Sequence, residues 1–207
     1  MTLVDVFASW RADRRIKKLI RNANHAKLTE VQENTFTRVT GVVQPHAARV
    51  LEAPLSGRLC AYYAIQVRDS VGRRGLDGRP QFSNQSIFDE QEGVVFELEA
   101  DGTRVVIDPT GAAWISSGFD HDVELGDARA RAFAKRVGLI GSLNRPRFCE
   151  AILGLGEKIA VFGAAVAEPD VTAQHGERGF RDSAPLRLRF VGSDTFPLMI
   201  RDDVGSL

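Results

Sequence analysis

The segment VVFELEADGTRVVID, residues 94–108, constrains the fold more than any other part of the sequence. Asp101 and Gly102 form the two-residue turn that a tight β-hairpin prefers, because both central residues of that turn need positive φ. Folding the segment about this turn sets three pairs of residues opposite one another: Phe96 and Ile107, Leu98 and Val105, and Glu99 and Arg104. Both apolar pairs share one face, so burial of that face fixes the register.

The segments before this hairpin also alternate between apolar and polar residues, which predicts a mainly β protein. In the first predicted strand, residues 35–45, one face carries Thr37, Val39, Gly41 and Val43. In the second, residues 59–68, alternation directs the side chains to two opposite sides. One side takes Leu59, Ala61, Tyr63, Ile65 and Val67, and the other takes Cys60, Tyr62, Gln66 and Arg68.

Further strands are predicted in the second half of the chain. Residues 157–167, EKIAVFGAAVA, are apolar on both faces, and Gly163 near their middle predicts a bend or bulge of the kind small barrels use at corners. Residues 186–192 and 196–200 are two further candidates. Together these segments predict an OB-like small β-barrel of roughly five or six strands, with helical additions.

Three segments interrupt the β pattern. Residues 70–92 are rich in glycine and polar residues, which predicts a long, mobile loop. Residues 127–140 predict an inserted helix that begins near Asp127 and ends at Gly141. Residues 171–185 resemble an exposed loop in composition.

The N-terminal segment, residues 1–34, is predicted to contain a basic amphipathic helix over residues 3–28. Residues 1–27 hold seven basic and two acidic residues, an excess of five positive charges. Such a helix could lie on an anionic membrane, with Phe7 and Trp10 entering the lipid boundary. Alternatively it packs on its own barrel or on a second copy of the chain, which buries both aromatic residues. We favour packing, which makes a homo-oligomer through this helix possible and leaves peripheral membrane contact as the alternative.

Composition narrows the classes of function. Basic and acidic residues number 27 each, so the chain offers no global positive field to hold a nucleic acid. Cys60 and Cys149 are too few for a disulfide framework or for paired zinc ligands, which favours a reducing cytoplasm. The apolar run at 159–167 is about half the length that a membrane helix needs. We therefore expect a cytoplasmic protein whose residues 35–207 form one β-barrel domain.

Several short motifs of this β region follow one another in a specific order. They comprise Pro54, Ser56, Gly57 and Cys60, then Asp108, Pro109 and Gly111, then Glu150, Gly156 and Gly163. In order and spacing, residues 35–203 resemble the GIDE domain, also called the Beside A Membrane (BAM) domain. That family includes the membrane-bound portion of mitochondrial RING-type ubiquitin ligases and many prokaryotic relatives.

The resemblance implies an interaction module on a barrel, and not a ubiquitin ligase. In the animal ligases, the domain lies between transmembrane helices and precedes a zinc-binding RING. Two cysteines cannot supply the zinc ligands of a RING. We therefore expect neither a metal site nor a cofactor from the family.

No catalytic constellation is evident. Ser56 would need a nearby base, but His25, His46, His121 and His175 are scattered over unrelated segments. Cys60 is expected to be a buried strand residue rather than a reactive thiol. Residues 120–122, Asp-His-Asp, have metal-capable side chains, yet consecutive residues rarely converge on one ion. Glu150 is expected to serve a turn or a structural hydrogen bond.

Two functions from different classes follow. The preferred one is a non-catalytic protein-interaction or scaffolding module that presents a groove or a strand edge to a partner, with the N-terminal helix as a second contact. The alternative is an OB-like domain that binds single-stranded nucleic acid through basic and aromatic residues, chiefly Arg38, Tyr62 and Arg68. An accessory role in a ubiquitin-ligase-like or membrane-associated system is a further possibility.

Overall fold

The structure, a computed structural model, describes residues 14–74, 80–115, 118–141, 143–170 and 186–202. Its helices are α1 (Arg14–Asn22), a short 3-10 helix (Leu28–Glu30) and α2 (Ala128–Arg136). Its strands are β1 (Asn24–His25), β2 (Thr37–Pro45), β3 (Leu51–Glu52), β4 (Leu59–Arg74), β5 (Pro80–Gly93), β6 (Phe96–Ala100), β7 (Thr103–Ile107), β8 (Ala113–Ile115), β9 (His121–Glu124), β10 (Arg147–Gly154), β11 (Lys158–Pro169), β12 (Leu186–Val191) and β13 (Met199–Arg201).

Five of these strands close into a barrel. Their order is β2, β6, β7, β12 and β11, and β11 pairs back onto β2. The β7–β12 pair is parallel, and the other four pairs around the ring are antiparallel. Strands β13 and β8 extend the sheet beyond β11. The prediction of a mainly β, OB-like barrel with helical additions is confirmed.

The hairpin that anchored the prediction forms as expected. Asp101 and Gly102 have φ values of 50° and 74°, and all three predicted residue pairs lie opposite one another in β6 and β7. The alternation predicted for β2 is also present, since its inward positions are buried and the positions between them are half-buried. Local turn chemistry and burial therefore determine this part of the barrel.

A second sheet is built from two insertions into the barrel. Strands β3, β4 and β5 lie between β2 and β6 in the chain, whereas β9 and β10 lie between β7 and β11. The sheet order is β3-β4-β10-β9, and β5 also pairs with β4. One face packs against α2 through Tyr63, Ile65, Phe133, Phe148 and Ile152, among others. The opposite face contributes Tyr62, Ala64, Ala151 and Leu153 to the barrel core, so both sheets share that core.

The interpretation of residues 70–92 as a mobile loop is wrong. Strand β4 continues to Arg74 and pairs with β5 as far as Pro80. Pairing of β4 with β10 stops at Arg68, so residues 69–74 and 80–85 form a two-stranded ribbon, hereafter the arm. Cross-strand hydrogen bonds join backbone groups, so a polar, glycine-containing segment can pair as well as an apolar one.

The strict alternation predicted for residues 59–68 is also wrong. Leu153 pairs with Tyr62 whereas Gly154 pairs with Cys60, so Ala61 is an extra residue in a β-bulge. The bulge puts Cys60 in the core under α2 together with Tyr63, and puts Tyr62 in the barrel core. Leu59, predicted to share a face with Tyr63, Ile65 and Val67, is 57% exposed, whereas those three residues are buried.

Two helix boundaries differ from prediction. Helix α2 begins after Asp127, as predicted, but ends at Arg136 because Gly138 already has positive φ. Helix α1 ends at Asn22 rather than near residue 28, since residues 24–25 pair as a short parallel strand with β2. None of the described helices is long and apolar enough to cross a membrane.

The C-terminal end of helix α1 and the residues after it make a small apolar contact with the barrel. Ile20, Ala23 and Phe36 pack against a buried cluster on the face of β11 opposite the barrel interior. The cluster consists of Ala113, Ala160, Phe162 and Met199. Residues 1–13, which include Phe7 and Trp10, lie outside the described residues, as does the predicted loop at 171–185.

Of the bend or bulge predicted at Gly163, the bulge is absent. The pairing of β11 with β2 runs through Gly163 to Thr37 without a register shift, and pairing with β12 begins at the next residue. A Cβ at this position would lie 2.9 Å from Leu198 Cδ1. The glycine therefore allows close packing between β11 and the segment before β13.

Candidate functional site

The turn at Pro54, Ser56 and Gly57 is held by a carboxylate from the other insertion. The Leu55 N–H donates to Oε1 of Glu150 at 2.7 Å, and the Ser56 N–H donates to Oε2 at 2.9 Å. Glu150 is fully buried, and its strand, β10, pairs with β4. The expected role of Glu150 in a turn or structural hydrogen bond is confirmed. This contact ties Glu150 to a turn that lies 94 and 95 positions earlier in the chain.

The thiol and hydroxyl nearest this turn are not arranged as nucleophiles. Cys60 is fully buried, and burial, followed by the nearby Glu150 carboxylate, raises the pKa of its thiol to about 12. The Ser56 Oγ accepts from the Arg58 N–H at 3.4 Å. Among the described residues, no histidine hydrogen-bonds to either group, and His46 Nδ1 instead lies 3.0 Å from Glu97 Oε1. The described contacts of this turn therefore hold the backbone in place.

The Asp108 motif likewise builds a turn. Asp108 Oδ1 accepts from the Thr110 N–H at 3.0 Å, and its Oδ2 accepts from Arg189 Nη2 at 2.6 Å. Burial opposes the shift, but the hydrogen bonds from Thr110 and Arg189 lower the pKa of Asp108. Pro109 is buried, and Gly111 has a φ of 69°. Gly156, at positive φ in the turn between β10 and β11, donates its N–H to the Val43 carbonyl of β2 at 2.9 Å.

The predicted nucleic-acid-binding residues do not lie on one surface. Tyr62 is buried, donates its hydroxyl to Gln91 Oε1 at 2.6 Å and packs edge-to-face on Trp114. Arg38 lies on the barrel, with its guanidinium 5.6 Å from the centre of the Phe162 ring. Arg68 lies on the second sheet, where its guanidinium is 5.0 Å from the Phe119 ring and its Nε donates to Gln66.

The outer face of the barrel is occupied by ion pairs. In an OB fold, the face of the second and third barrel strands is the usual nucleic-acid surface, and here those strands are β6 and β7. The ion-paired side chains on this face and on the neighbouring β11 and β12 are Glu97, Glu99, Asp108, Glu168 and Asp170 as acids, and Arg104, Arg187 and Arg189 as bases. These ion pairs involve five carboxylates and three guanidinium groups, an excess of two negative charges among the paired side chains. A phosphate backbone would have to displace these pairs.

The Asp-His-Asp segment supports β10. Asp120 Oδ2 accepts from the Ile152 N–H at 2.9 Å, and Asp122 Oδ1 accepts from Arg147 Nε at 2.9 Å. His121 lies on β9, opposite Glu150. In the described ranges, no three histidine, cysteine or acidic side chains are placed to share a metal ion.

A groove of about 630 Å³ lies at the base of the arm and is lined by Ser70, Glu124, Asn144, Arg145 and Arg147, among others. Asp69, the neighbour of Ser70 in β4, is only 6% exposed. Asp69 accepts hydrogen bonds from the backbone N–H groups of Ser70, Asn144 and Arg145. Burial opposes the shift, but these three donors lower the pKa of Asp69. The base of the arm is thereby fastened to the loop before β10.

Sequence reasoning missed the free edge of β5. In the described chain, β4 is the only strand that pairs with β5. Three acidic residues lie near the end of β5: Asp89, Glu90 and Glu92. The signal that could have revealed this hairpin is the dipeptide Asp77-Gly78, which repeats the Asp-Gly pair at 101–102. Residues 75–79 themselves lie outside the described residues.

No family model matches the chain, and no curated protein or solved structure is significantly similar to it. The candidate site is therefore defined by the chain's own geometry. It comprises the arm and the free edge of β5.

Proposed function

We propose that this chain is a non-catalytic protein-interaction module of the GIDE, or BAM, type, which presents the arm and the free edge of β5 to a partner protein. The arm is the observation that carries the proposal. Beyond Arg68, its two strands pair only with each other among the described residues. Because a lone two-stranded ribbon is marginally stable in water, a third strand or a packed surface would stabilise it. A protein partner supplies either one.

The structural use of the motif residues supports a scaffold rather than an enzyme. Both carboxylate oxygens of Glu150 accept hydrogen bonds from the backbone N–H groups of Leu55 and Ser56. Cys60 is a buried thiol with a raised pKa. These residues belong to the pattern that resembles the GIDE domain, and here they join the two insertions. An accessory role in a membrane-associated or ubiquitin-ligase-like assembly is a narrower form of the same proposal.

The two cysteines support a cytoplasmic setting. Cys60 and Cys149 are both buried and both unpaired. Proteins of oxidising compartments commonly use such residues in disulfides, whereas the cytoplasm keeps thiols reduced.

The test compares the full chain with a variant whose arm is shortened. Ser70 lies opposite Asn84, so replacing residues 71–83 by Asn-Gly closes the hairpin in register. A matched control replaces Asp101-Gly102 by Asn-Gly, which changes a turn and leaves the arm intact. Each protein is cross-linked in lysate of its native host, and cross-linked partners are identified by mass spectrometry.

We expect a partner whose cross-links map to β5 and the arm, retained by the control and lost by the shortened variant. All three proteins should keep similar melting temperatures, because the shortened variant keeps Asp69 and the whole pairing of β4 with β10. Partners unaffected by shortening, or none at all, would contradict the proposal. Salt-sensitive binding to a labelled single-stranded oligonucleotide, without a protein partner, would replace it by the nucleic-acid function.

A further inference from the structure

We infer that the edge of β5 from Phe88 to Gly93 is a strand-addition site for an extended, basic segment of the partner. This inference rests on the proposed function, because it specifies where and how the interaction module would bind. It identifies the partner segment by two properties: an extended backbone, and lysine or arginine side chains facing the acidic residues of β5.

The backbone of β5 is the first part of the argument. Strand β5 has 14 residues, and residues 88–93 pair with residues 62–67 of β4 on one side. In an antiparallel strand, alternate N–H and C=O groups point away from that partner. Within the described chain, no strand pairs with these outward groups. An added strand would satisfy them without any rearrangement of the sheet.

The charge on this edge is the second part. Among the described residues, Asp89 accepts from two neutral donors, the Gln66 amide at 3.1 Å and the Ser86 hydroxyl at 3.1 Å. Glu92 accepts from the neutral Tyr63 hydroxyl at 2.8 Å. In each case the donor is neutral, so it holds the carboxylate in place without neutralising its charge.

Glu90 is the one acidic residue of this edge with a cationic partner in the described chain. Its Oε1 lies 2.6 Å from Arg136 Nη2 and also accepts from the Tyr63 hydroxyl at 3.0 Å. Three carboxylates against one guanidinium leave the edge with an excess of two negative charges. Glu90 and Glu92 share the face covered by α2, whereas Asp89 lies on the opposite face. A basic segment therefore finds complementary charge on both faces of β5.

The same charges argue against a second copy of the chain as the occupant. Two β5 edges paired over residues 88–93 would bring the three carboxylates of one chain against three of the other. Like charges directly opposite one another destabilise a strand pair. The edge is therefore protected against self-pairing and open to a segment of opposite charge.

The first experiment uses the full chain and fluorescein-labelled peptides. The probe is acetyl-Thr-Lys-Val-Lys-Val-Lys-Thr-amide, and the control peptide carries glutamate in place of each lysine. Fluorescence anisotropy should show the lysine peptide binding at least about tenfold more tightly at low salt, with the difference shrinking as screening increases. Two further peptides carry backbone N-methyl groups, one at the lysines and the other at the valines. Alternate N–H groups of a strand point to opposite edges, so each form blocks one edge of the peptide. Because only one edge pairs with β5, the affinities of the two forms should differ at least about tenfold.

The second experiment changes the protein. The double variant Asp89→Asn with Glu92→Gln should bind the lysine peptide about five- to tenfold more weakly, because it removes one carboxylate from each face of β5 and the lysines lose one whichever face they occupy. Glu124→Gln is the matched control, because Glu124 lies on β9, the edge strand on the opposite side of the same sheet. It should bind the peptide like the unchanged protein.

Equal binding of the lysine and glutamate peptides, equal affinity of the two N-methylated forms, or no binding of either peptide would overturn the inference. The last result, no binding of either peptide, is what we would expect if another segment of the same chain covered this edge. If cross-linking still finds a partner that depends on the arm, only the strand-addition inference fails. If no such partner exists, the proposed function fails.

Discussion

Replacing Glu150 by glutamine tests how the two insertions are held together. The substitution keeps the shape of the side chain but leaves only one acceptor oxygen for the two N–H groups of Leu55 and Ser56, which lie 2.7 and 2.9 Å from the carboxylate. The glutamine NH₂ group must then face one of these donors. One backbone N–H of the turn loses its partner in a fully buried position.

The expected cost follows from the charge-assisted hydrogen bond that is lost. Such a bond contributes about 1.5–3 kcal/mol net, and a buried donor left without a partner costs about 1–3 kcal/mol. Removing a buried charge recovers part of its desolvation free energy, which acts in the opposite direction. We therefore expect the free energy of unfolding to fall by about 2–3 kcal/mol, which for a chain of this size lowers the melting temperature by about 5–10 °C.

The assay is equilibrium unfolding in urea, followed by far-ultraviolet circular dichroism and checked by thermal melting. Glu52→Gln is the matched control, because Glu52 lies just before the same turn with its side chain 59% exposed and paired with Arg129 at 2.9 Å. An exposed ion pair of this kind contributes about 0–1 kcal/mol. If Glu150→Gln is as stable as the unchanged protein, or the two variants are equally destabilised, the assigned role of the carboxylate is refuted.

Three further predictions concern burial. Asp69→Asn should cost about 2–4 kcal/mol in urea unfolding at pH 7, since its carboxylate accepts three backbone donors. The folded pKa of Asp69 lies below the usual 3.8, so this contribution is complete above that value and is lost as the pH falls through the folded pKa. The two proteins should therefore converge in stability only at pH values below 3.8. A thiol reagent at pH 8 should label Cys60 and Cys149 only after unfolding, as burial raises both pKa values; rapid labelling of the native chain would contradict this. Gly41→Ala should lower the free energy of unfolding by about 1–3 kcal/mol in the same urea assay, because its Cβ would lie 2.7 Å from the Glu99 carbonyl oxygen. Unchanged stability would refute the contact.

The parts of the fold that could be predicted depend on chemistry between near neighbours in sequence. Asp101-Gly102 specifies its own turn and thereby the register of the residues on either side. Asp127 specifies the start of α2, because its carboxylate accepts from the Arg129 and Ala130 N–H groups within the same turn. The alternation of β2 reports burial on one face of a strand, which needs no knowledge of the partner strand.

The parts that could not be predicted depend on partners distant in sequence. The face on which Cys60 lies is decided by a bulge opposite Gly154, and nothing near residue 60 encodes that shift. Glu150 could be assigned to a structural hydrogen bond, but its partners at Leu55 and Ser56 are known only once β10 lies beside β4. The edge of β5 was missed because a polar, glycine-containing segment resembles a loop in composition.

The interlocked insertions have a consequence for synthesis on the ribosome. Strand β4 emerges early, whereas β10, with which it pairs from Cys60 to Arg68, emerges only after the barrel strands β6 and β7. At ordinary rates of translation the delay is on the order of ten seconds. During that time the nascent chain exposes Tyr63, Ile65 and Val67, which α2 and β10 later cover. The second sheet therefore completes late in synthesis, and this interval is when a nascent-chain chaperone would protect the protein from aggregation.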